Sequence, residues 1–184
     1  MFILTRIKDN VRIHPADFAL PRKEAITNEL NIKYANKIIN NVGCCIRVWD
    51  IATCSDPIVL ACMNGAYQSS VTFRMIVFRP FIGQIITGKI IQSTADGIRM
   101  SLDFFDDIVI PSVWMKPDTK FDETEGVWIW TVDDTPLFMD KGEVIRASVE
   151  AEEFADFGPL KSDASSFTLT CSIMDAGLGL VSWW

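Results

Sequence analysis

The chain has 184 residues, of which 49% are hydrophobic and 22% charged, and its formal net charge is −7. This composition is typical of an ordered globular protein and disfavours a disordered one. Its apolar runs fall short of the ~18–20 residues that span a bilayer, and the opening stretch MFILTRIKDN does not resemble a signal peptide. A chain of this length forms one large domain or two small ones.

The charge is distributed unevenly along the chain. Residues 1–80 contain ten Lys and Arg against six Asp and Glu, a balance of +4, whereas residues 81–184 contain seven against eighteen, a balance of −11. We therefore place a domain boundary at Pro80, between residues 1–80 and 81–184. The acidic half is not expected to bind a polyanion through bulk charge, so any nucleic-acid contact there has to be local.

The first half predicts a small α+β unit. A helix begins near Pro21, a residue suited to a first turn, and its predicted buried stripe comprises Ile26, Leu30 and Tyr34. Runs rich in β-branched and apolar residues predict strands over residues 2–13, 40–54 and 71–81. We expect the first strand to bend at Asp9, and we expect a loop with the turn signal Asn64-Gly65 before the last one.

The second half predicts only strands, with no helical stripe. The predicted strands cover residues 83–92, 97–102, 107–111, 127–132, 143–151 and 167–174. Asp96-Gly97 is a good hairpin turn between the first two. Short strands at this spacing indicate a small barrel or sandwich, and a five-stranded OB-fold with insertions fits about 100 residues.

Few residues could carry catalysis or hold a metal. His14 is the single histidine, and the five cysteines lack paired CxxC spacing, so we expect no transition-metal site and interpret the thiols as reduced and mostly buried. Asp106 and Asp107 are adjacent and would point to opposite faces of a strand, which disfavours a shared Mg²⁺ site. We expect no catalytic residue and no cofactor.

The aromatic content is high, with six tryptophans and twelve phenylalanines. In the strand VWIW, Trp128 and Trp130 share one face while Val127 and Ile129 share the other, so both faces are bulky. This pattern predicts one face in the barrel and one covered by a second surface. Aromatic surfaces of this kind are favoured at stable protein interfaces.

Several segments together carry a family resemblance. They are NELNIKYANKIINNVGCCIRVWDI (28–51), VTFRMIVFRPFIGQIITGKI (71–90), GIRMSLDFFDDIVIP (97–111), VWIW (127–130) and GLGLVSWW (177–184). The chain resembles the larger stalk subunit of eukaryotic RNA polymerase III, a relative of the seventh subunit of RNA polymerase II and of an archaeal stalk subunit. FRPFIGQIITGKI is typical of the wider stalk family, whereas FFDDIVIP with the terminal GLVSWW is specific to the polymerase III branch.

The resemblance implies an N-terminal tip domain of ribonucleoprotein-like α+β fold, followed by an all-β OB-fold barrel. It also implies a non-catalytic, nuclear subunit with no cofactor and no membrane contact. Such a subunit pairs with a smaller helical stalk subunit, docks on the polymerase core near the RNA exit, and supports initiation on transfer RNA and 5S ribosomal RNA genes. The docking loop of the family matches residues 62–70, which assigns docking to Asn64, Gly65 and Ala66.

The resemblance further implies contact with emerging RNA, and the balance of −11 in the second half predicts that any contact on the barrel is weak. Lys89 and Arg99 are among the few cations of the acidic half and lie on the strands where OB-folds bind oligonucleotides, with Phe104 or Phe105 as a stacking surface. Solvated surface cations are an equally good interpretation of the two basic residues. The family often has glycine where Asp103 stands, so a different turn is expected before the phenylalanines.

The terminal tryptophans predict a packed tail. The stretch DAGLGL reads as a turn that folds the tail back, and we expect VSWW to lie where barrel, tip domain and partner subunit meet. At least one indole of Trp183 and Trp184 would be buried there, and an extended tail would point them to opposite sides. With Trp128 and Trp130 they form the predicted packing surface.

Two other functional classes remain open from the sequence. A free-standing single-strand RNA-binding OB-fold protein would need a continuous basic and aromatic face, which the acidic balance disfavours. An enzyme would need convergent polar groups, and the motifs for these are missing.

Overall fold

The computed structural model describes residues 1–59, 64–155 and 167–184. The chain divides into two compact units, Met1–Arg79 and Pro80–Trp184, and each is described by itself. Within the described ranges, no helix has the length and apolar character needed to cross a bilayer.

The first unit is an antiparallel sheet with one helix. Its elements are β1 (Phe2–Ile13), α1 (Arg22–Tyr34), β2 (Ile38–Ile39), β3 (Gly43–Cys54), β4 (Ile58–Val59) and β5 (Tyr67–Phe78). The strand order is β1-β5-β3-β2, with β4 also paired to β5. The predicted α+β class is confirmed, because a single helix packs on strands whose alternating apolar residues face it.

The core of this unit lies between α1 and one face of the sheet. Ala25, Ile26 and Leu30 are buried and pack with the odd-numbered residues of β5 from Val71 to Val77. The predicted stripe is therefore confirmed at Ile26 and Leu30, while Tyr34 packs at the edge of the core. Even-numbered residues of β1 and β5 consequently point to the opposite face.

The expected bend at Asp9 is wrong. Asp9 lies opposite Val71 in a register that runs without interruption from Phe2 to Ile13. Its carboxylate accepts hydrogen bonds from Lys33 Nζ at 2.5 Å and Tyr34 Oη at 2.7 Å. A polar residue on the core face is tolerated because α1 satisfies it.

The strand after the predicted docking loop starts earlier than expected. Tyr67 pairs with both Ile13 and Val59, so Tyr67–Ser70 belong to β5 and not to the loop predicted over 62–70. Residues 62 and 63 of that loop lie outside the described residues. The described part of the connection is thus the short turn at Asn64, Gly65 and Ala66.

The second unit contains a closed five-stranded barrel. Its strands are β6 (Ile85–Thr94), β7 (Gly97–Ser101), β8 (Ile108–Pro111), β9 (Thr119–Asp122), β10 (Val127–Val132), β11 (Thr135–Met139), β12 (Val144–Phe154), β13 (Phe167–Ser172) and β14 (Gly179–Leu180). The barrel order is β6-β7-β8-β13-β12, closed by pairing of β12 with β6. Only the β8–β13 pairing in this ring is parallel. This closed Greek-key order confirms the predicted OB-fold.

A three-stranded sheet of order β9-β10-β11 is inserted between β8 and β12. Of its strands only β10 was predicted from the sequence, with the observed bounds. The β10–β11 hairpin turns at Asp133 and Asp134, whose φ values of 47° and 62° are those of a type I′ turn. The sequence signal is weak because such turns usually contain glycine.

The predicted β6–β7 hairpin is confirmed, with its two turn residues one position earlier, at Ala95 and Asp96. Gly97 instead begins β7, where a Cβ atom would lie 2.3 Å from the carbonyl oxygen of Ile110. Glycine is therefore required here for the close approach of β8.

The buried cysteines behave as apolar core residues. Cys44, Cys45 and Cys171 are buried and unbridged, whereas Cys54 is exposed. Burial raises the pKa of the Cys45 thiol to about 11 and that of Cys171 to about 12. Such thiols remain protonated at neutral pH and are poor nucleophiles.

Candidate functional site

The predicted docking turn has the backbone conformation expected for it. Asn64 and Gly65 both lie in the left-handed region, with φ of 51° and 81°. A Cβ atom on Gly65 would lie 3.5 Å from the ring of Pro15, so a larger residue would be opposed by the backbone angle rather than by lack of space. Ala66 is fully buried and therefore anchors the turn instead of offering a contact surface, contrary to its predicted role.

The structure brings the two barrel cations to one outer face. Lys89 on β6 lies opposite Ser101 of β7, and Arg99 lies two residues further along β7. Both side chains are exposed. Lys89 Nζ forms an exposed ion pair with Asp103, at 3.5 Å, which partly neutralises the face. Arg99 lines a shallow cleft of about 230 Å³ with Gln92 and Val109.

The two phenylalanines proposed for stacking differ in accessibility. Phe104 is 46% exposed, whereas Phe105 is buried and packs against Phe167 with ring centroids 5.4 Å apart. Phe105 is therefore a core residue, and its predicted role as a stacking surface is wrong. The turn before them passes through Asp103 at φ 68°, the left-handed conformation for which glycine is favoured.

Trp128 is a core residue of the barrel unit. Its Nε1 donates a hydrogen bond to the carbonyl of Thr94 at 2.9 Å, and its ring packs on Phe121. This contact fixes the inserted sheet to the end of β6. Only 6% of Trp128 is exposed, so this residue packs within its own unit, and its role in partner or interdomain packing stays a prediction.

The C-terminal tail folds back onto the barrel, as the sequence predicted. Leu180 and Gly179 pair with Ile145 and Arg146 of β12. The next residues, Val181–Trp183, form a single 3₁₀ turn. The prediction that Trp183 and Trp184 point to opposite sides assumed an extended tail and does not apply to this turn.

The two terminal indoles have different surroundings. Trp183 is half-buried and packs on Trp130, with centroids 4.9 Å apart. Gly179 has a φ of +109°, and a Cβ atom there would lie 2.5 Å from the Trp183 ring. Trp184 is 64% exposed. The tail thus holds one indole against the barrel unit and presents the other to solvent.

A buried lysine completes this tail cluster, which comprises Lys116, Trp130, Trp183 and Trp184. Lys116 is 6% exposed, and its Nζ donates a hydrogen bond to the carbonyl of Asp175 at 2.9 Å. The same ammonium lies 4.9 Å from the ring centroid of Trp130 and 5.7 Å from that of Trp184. Burial lowers the pKa of Lys116, and the two aromatic faces compensate part of the lost hydration.

The described ranges contain no group of three or more His, Cys, Asp and Glu side chains arranged to hold a metal ion. Asp106 accepts a hydrogen bond from Ser101 Oγ, which gives this carboxylate a structural role at the end of β7.

Comparison with known proteins identifies the family. Residues 84–166 match the family described as RNA polymerase III subunit Rpc25, and residues 8–71 match the SHS2 domain found in the N terminus of Rpb7p/Rpc25p/MJ0397. Over its whole length the chain is 41% identical to DNA-directed RNA polymerase III subunit RPC8 of Bos taurus, covering 98% of that protein. The chain belongs to the RPC8/Rpc25 family of RNA polymerase III subunits.

Two fungal members of the RPC8/Rpc25 family are similar over the same extent. Identity is 39% to the RPC8 subunit of Saccharomyces cerevisiae and 36% to that of Schizosaccharomyces pombe, with 100% of each chain covered in both comparisons. The stalk-family resemblance found in the sequence is thereby confirmed.

Sequence reasoning missed Lys116 as a member of the tail cluster. It lies inside the segment that matches the Rpc25 family, whereas Asp175 and the terminal tryptophans lie after it. A lysine between Met115 and Pro117 carries no local sign of burial, because lysines are almost always exposed.

Proposed function

We propose that the chain is the larger, non-catalytic stalk subunit of a nuclear DNA-directed RNA polymerase III. It would pair with a smaller helical stalk subunit, dock on the polymerase core near the RNA exit, and support initiation on transfer RNA and 5S ribosomal RNA genes. The observation that carries this proposal is the end-to-end match to RPC8 subunits. Nucleotidyl transfer would reside in other subunits, since the relatives are named as parts of a larger enzyme.

Docking on the core is assigned to the first unit through the turn at Asn64 and Gly65. In support, both residues are exposed and adopt left-handed conformations, which present a defined turn at the surface. Exposed apolar side chains of the neighbouring β4, Ile58 and Val59, are available for the same interface.

Pairing with the smaller subunit is assigned to the barrel unit and its tail. Trp184 is the supporting residue, because a mostly exposed indole beside a buried cation is a poor use of apolar surface in a free chain. Trp130 and Trp183 would act indirectly by holding the tail in place.

Contact with nascent RNA would be weak and involve Lys89, Arg99 and Phe104. The ion pair between Lys89 and Asp103 and the acidic balance of the unit leave few phosphates to be neutralised. Binding should therefore depend only weakly on salt, and Lys89→Ala with Arg99→Ala should reduce it.

Affinity purification of the polymerase tests the proposal. Gly65→Val should reduce recovery of core subunits while recovery of the smaller stalk subunit is unchanged, because the backbone at φ 81° resists a β-branched residue. A Gly142→Val variant, also at positive φ in an open turn of the other unit, is the matched control. Absence of polymerase subunits from the parent purification would instead favour a free-standing RNA-binding protein.

A further inference from the structure

The first strand of the first unit has an unpaired edge. In the strand order β1-β5-β3-β2, β1 lies at one end, and within the described ranges it pairs with β5 alone. Folded proteins often keep edge strands short, bulged or interrupted by proline, because a free edge can pair with another chain. At the other end of the sheet β2 has two residues, whereas β1 has twelve, in an uninterrupted register and without proline.

The register shows which backbone groups of β1 face this edge. In an antiparallel pair, residues that exchange hydrogen bonds with the partner strand alternate with residues whose N–H and C=O groups point away from it. The N–H of Arg79 donates to the carbonyl of Met1 at 2.9 Å, one position beyond the Phe2–Phe78 pair. Odd-numbered residues of β1 therefore bond to β5, and even-numbered residues direct both groups to the free edge.

Three even-numbered residues form the exposed middle of this edge. In the described part of the chain, no backbone hydrogen bond outside the strand ladders reaches Leu4, Arg6 or Lys8. Leu4 is 52% exposed. Arg6 and Lys8 are also exposed and form no ion pair with a described residue. The three side chains share one face of the strand, and we call these residues the β1 edge.

A second copy of the chain is a poor partner for the β1 edge. Two β1 strands paired antiparallel about a twofold axis near Ile7 would place Arg6 opposite Lys8. Like charges placed directly opposite each other destabilise a sheet. An acidic strand would instead supply a carboxylate opposite each cation. The same two charges that oppose self-pairing therefore favour an acidic segment.

We propose that the β1 edge binds an extended acidic segment of another protein, which adds a strand to the sheet. In this mode of recognition, main-chain hydrogen bonds supply affinity and alternate side chains supply specificity. The segment would carry two acidic residues two positions apart, opposite Arg6 and Lys8, and an apolar residue opposite Leu4. The Asn64-Gly65 turn lies near the other end of β1, since Tyr67 pairs with Ile13. The inference does not rest on the proposed function.

Fluorescence anisotropy of labelled synthetic peptides with the full chain tests the charge preference. The probe peptide has two glutamates and a valine at alternate positions, separated by threonines, and its control has lysine in place of both glutamates. The parent should bind only the glutamate peptide. Arg6→Glu with Lys8→Glu should weaken this binding about 4- to 25-fold, because each cross-strand ion pair contributes a factor of about 2–5. The same variant should bind the lysine peptide.

Two controls separate strand addition from simple charge attraction. Lys23→Glu with Lys37→Glu makes the same charge change at exposed positions off β1 and should leave binding of the glutamate peptide nearly unchanged. Leu4→Pro removes a backbone donor that faces the free edge while keeping both cations, so it should abolish binding. Leu4→Thr keeps the donor and should retain most of the binding. Because the N–H of Leu4 does not bond to β5, neither Leu4 variant should unfold the chain, which melting temperatures verify.

Amide hydrogen exchange observes strand addition directly. The N–H groups of Arg6 and Lys8 should exchange rapidly in the free chain and slowly with the glutamate peptide bound, because only the added strand gives them acceptors. The N–H of Ile7 bonds to β5 and should be protected in both states.

Four results would overturn the inference. They are absence of binding of the glutamate peptide by the parent, equal binding of the lysine peptide, full binding by a folded Leu4→Pro variant, and unchanged exchange at Arg6 and Lys8 when the peptide is bound. Concentration-dependent dimers that protect the same two amides would show that a second copy occupies the β1 edge, and would also contradict the inference.

Discussion

Replacing Trp183 by alanine should destabilise the barrel unit because this indole holds the tail on β12. The substitution removes the ring that packs on Trp130 and fills the space above Gly179. Lys116 would keep its hydrogen bond to Asp175 but would be less shielded from water. The tail beyond Leu180 would then keep the partly exposed contact of Trp184 with Lys116.

The size of the effect follows from burial. Truncating a fully buried tryptophan lowers the free energy of unfolding by about 3–5 kcal/mol. Because Trp183 is half-buried, we expect its truncation to lower this free energy by about 2 kcal/mol. At ~4 °C per kcal/mol for a unit of about 100 residues, this lowers the melting temperature by about 8 °C. The shift would be about half as large if both units unfold together.

Calorimetry on the isolated chain measures this shift, with Trp184→Ala as the matched control. Trp184 is 64% exposed and makes one partly exposed cation–π contact with Lys116, worth about 0.5–1 kcal/mol. The control should therefore melt only a few degrees below the parent, while its yield of heterodimer falls. Equal shifts for the two variants, or a Trp183 variant that melts like the parent, would refute the packing argument. Deleting residues 181–184 should combine the two effects.

Two further predictions concern other buried polar groups. Asp9 is partly buried, which alone would raise its pKa, but hydrogen bonds from α1 lower the pKa below the ordinary value of 3.8. The ionised carboxylate should therefore contribute its full stabilisation above about pH 5. This contribution should be lost as the pH falls through the lowered pKa. Asp9→Asn should thus reduce urea stability at pH 7, and a gap from the parent that persists at pH 2 would contradict the pKa argument. Trp128→Phe should lower the free energy of unfolding by about 1 kcal/mol, because the Thr94 carbonyl loses the indole donor that lies 2.9 Å away. An unchanged urea midpoint would show that this hydrogen bond does not contribute to stability.

The local sequence pattern was sufficient to predict the strands that are buried on at least one face. β1 and β10 were predicted with their observed bounds because both are rich in β-branched, aromatic and other apolar residues, and the strand preference of such residues is a local property of the sequence. The helix was identified from Pro21 and the spacing of Ile26 and Leu30 for the same reason. The OB-fold followed from strand length and spacing.

β9 and β11 were not identified from the sequence. Both are short and rich in polar or exposed residues, and they are strands only because they pair with β10 on either side. The Asp133-Asp134 turn lacks the glycine that usually marks a two-residue hairpin. Pro136 in β11 is also unusual inside a strand. Edge strands of this kind depend on the central strand.

The sequence also placed the terminal tryptophans on a folded tail, and the aromatic content indicated packing. Which indole is held and which is exposed depended on the 3₁₀ turn at Val181–Trp183 and on the position of Trp130. The burial of Lys116 depended on an interaction with Asp175, 59 residues later. Spacing along a strand determines which residues share a face, whereas long-range pairing alone determines which strands lie side by side.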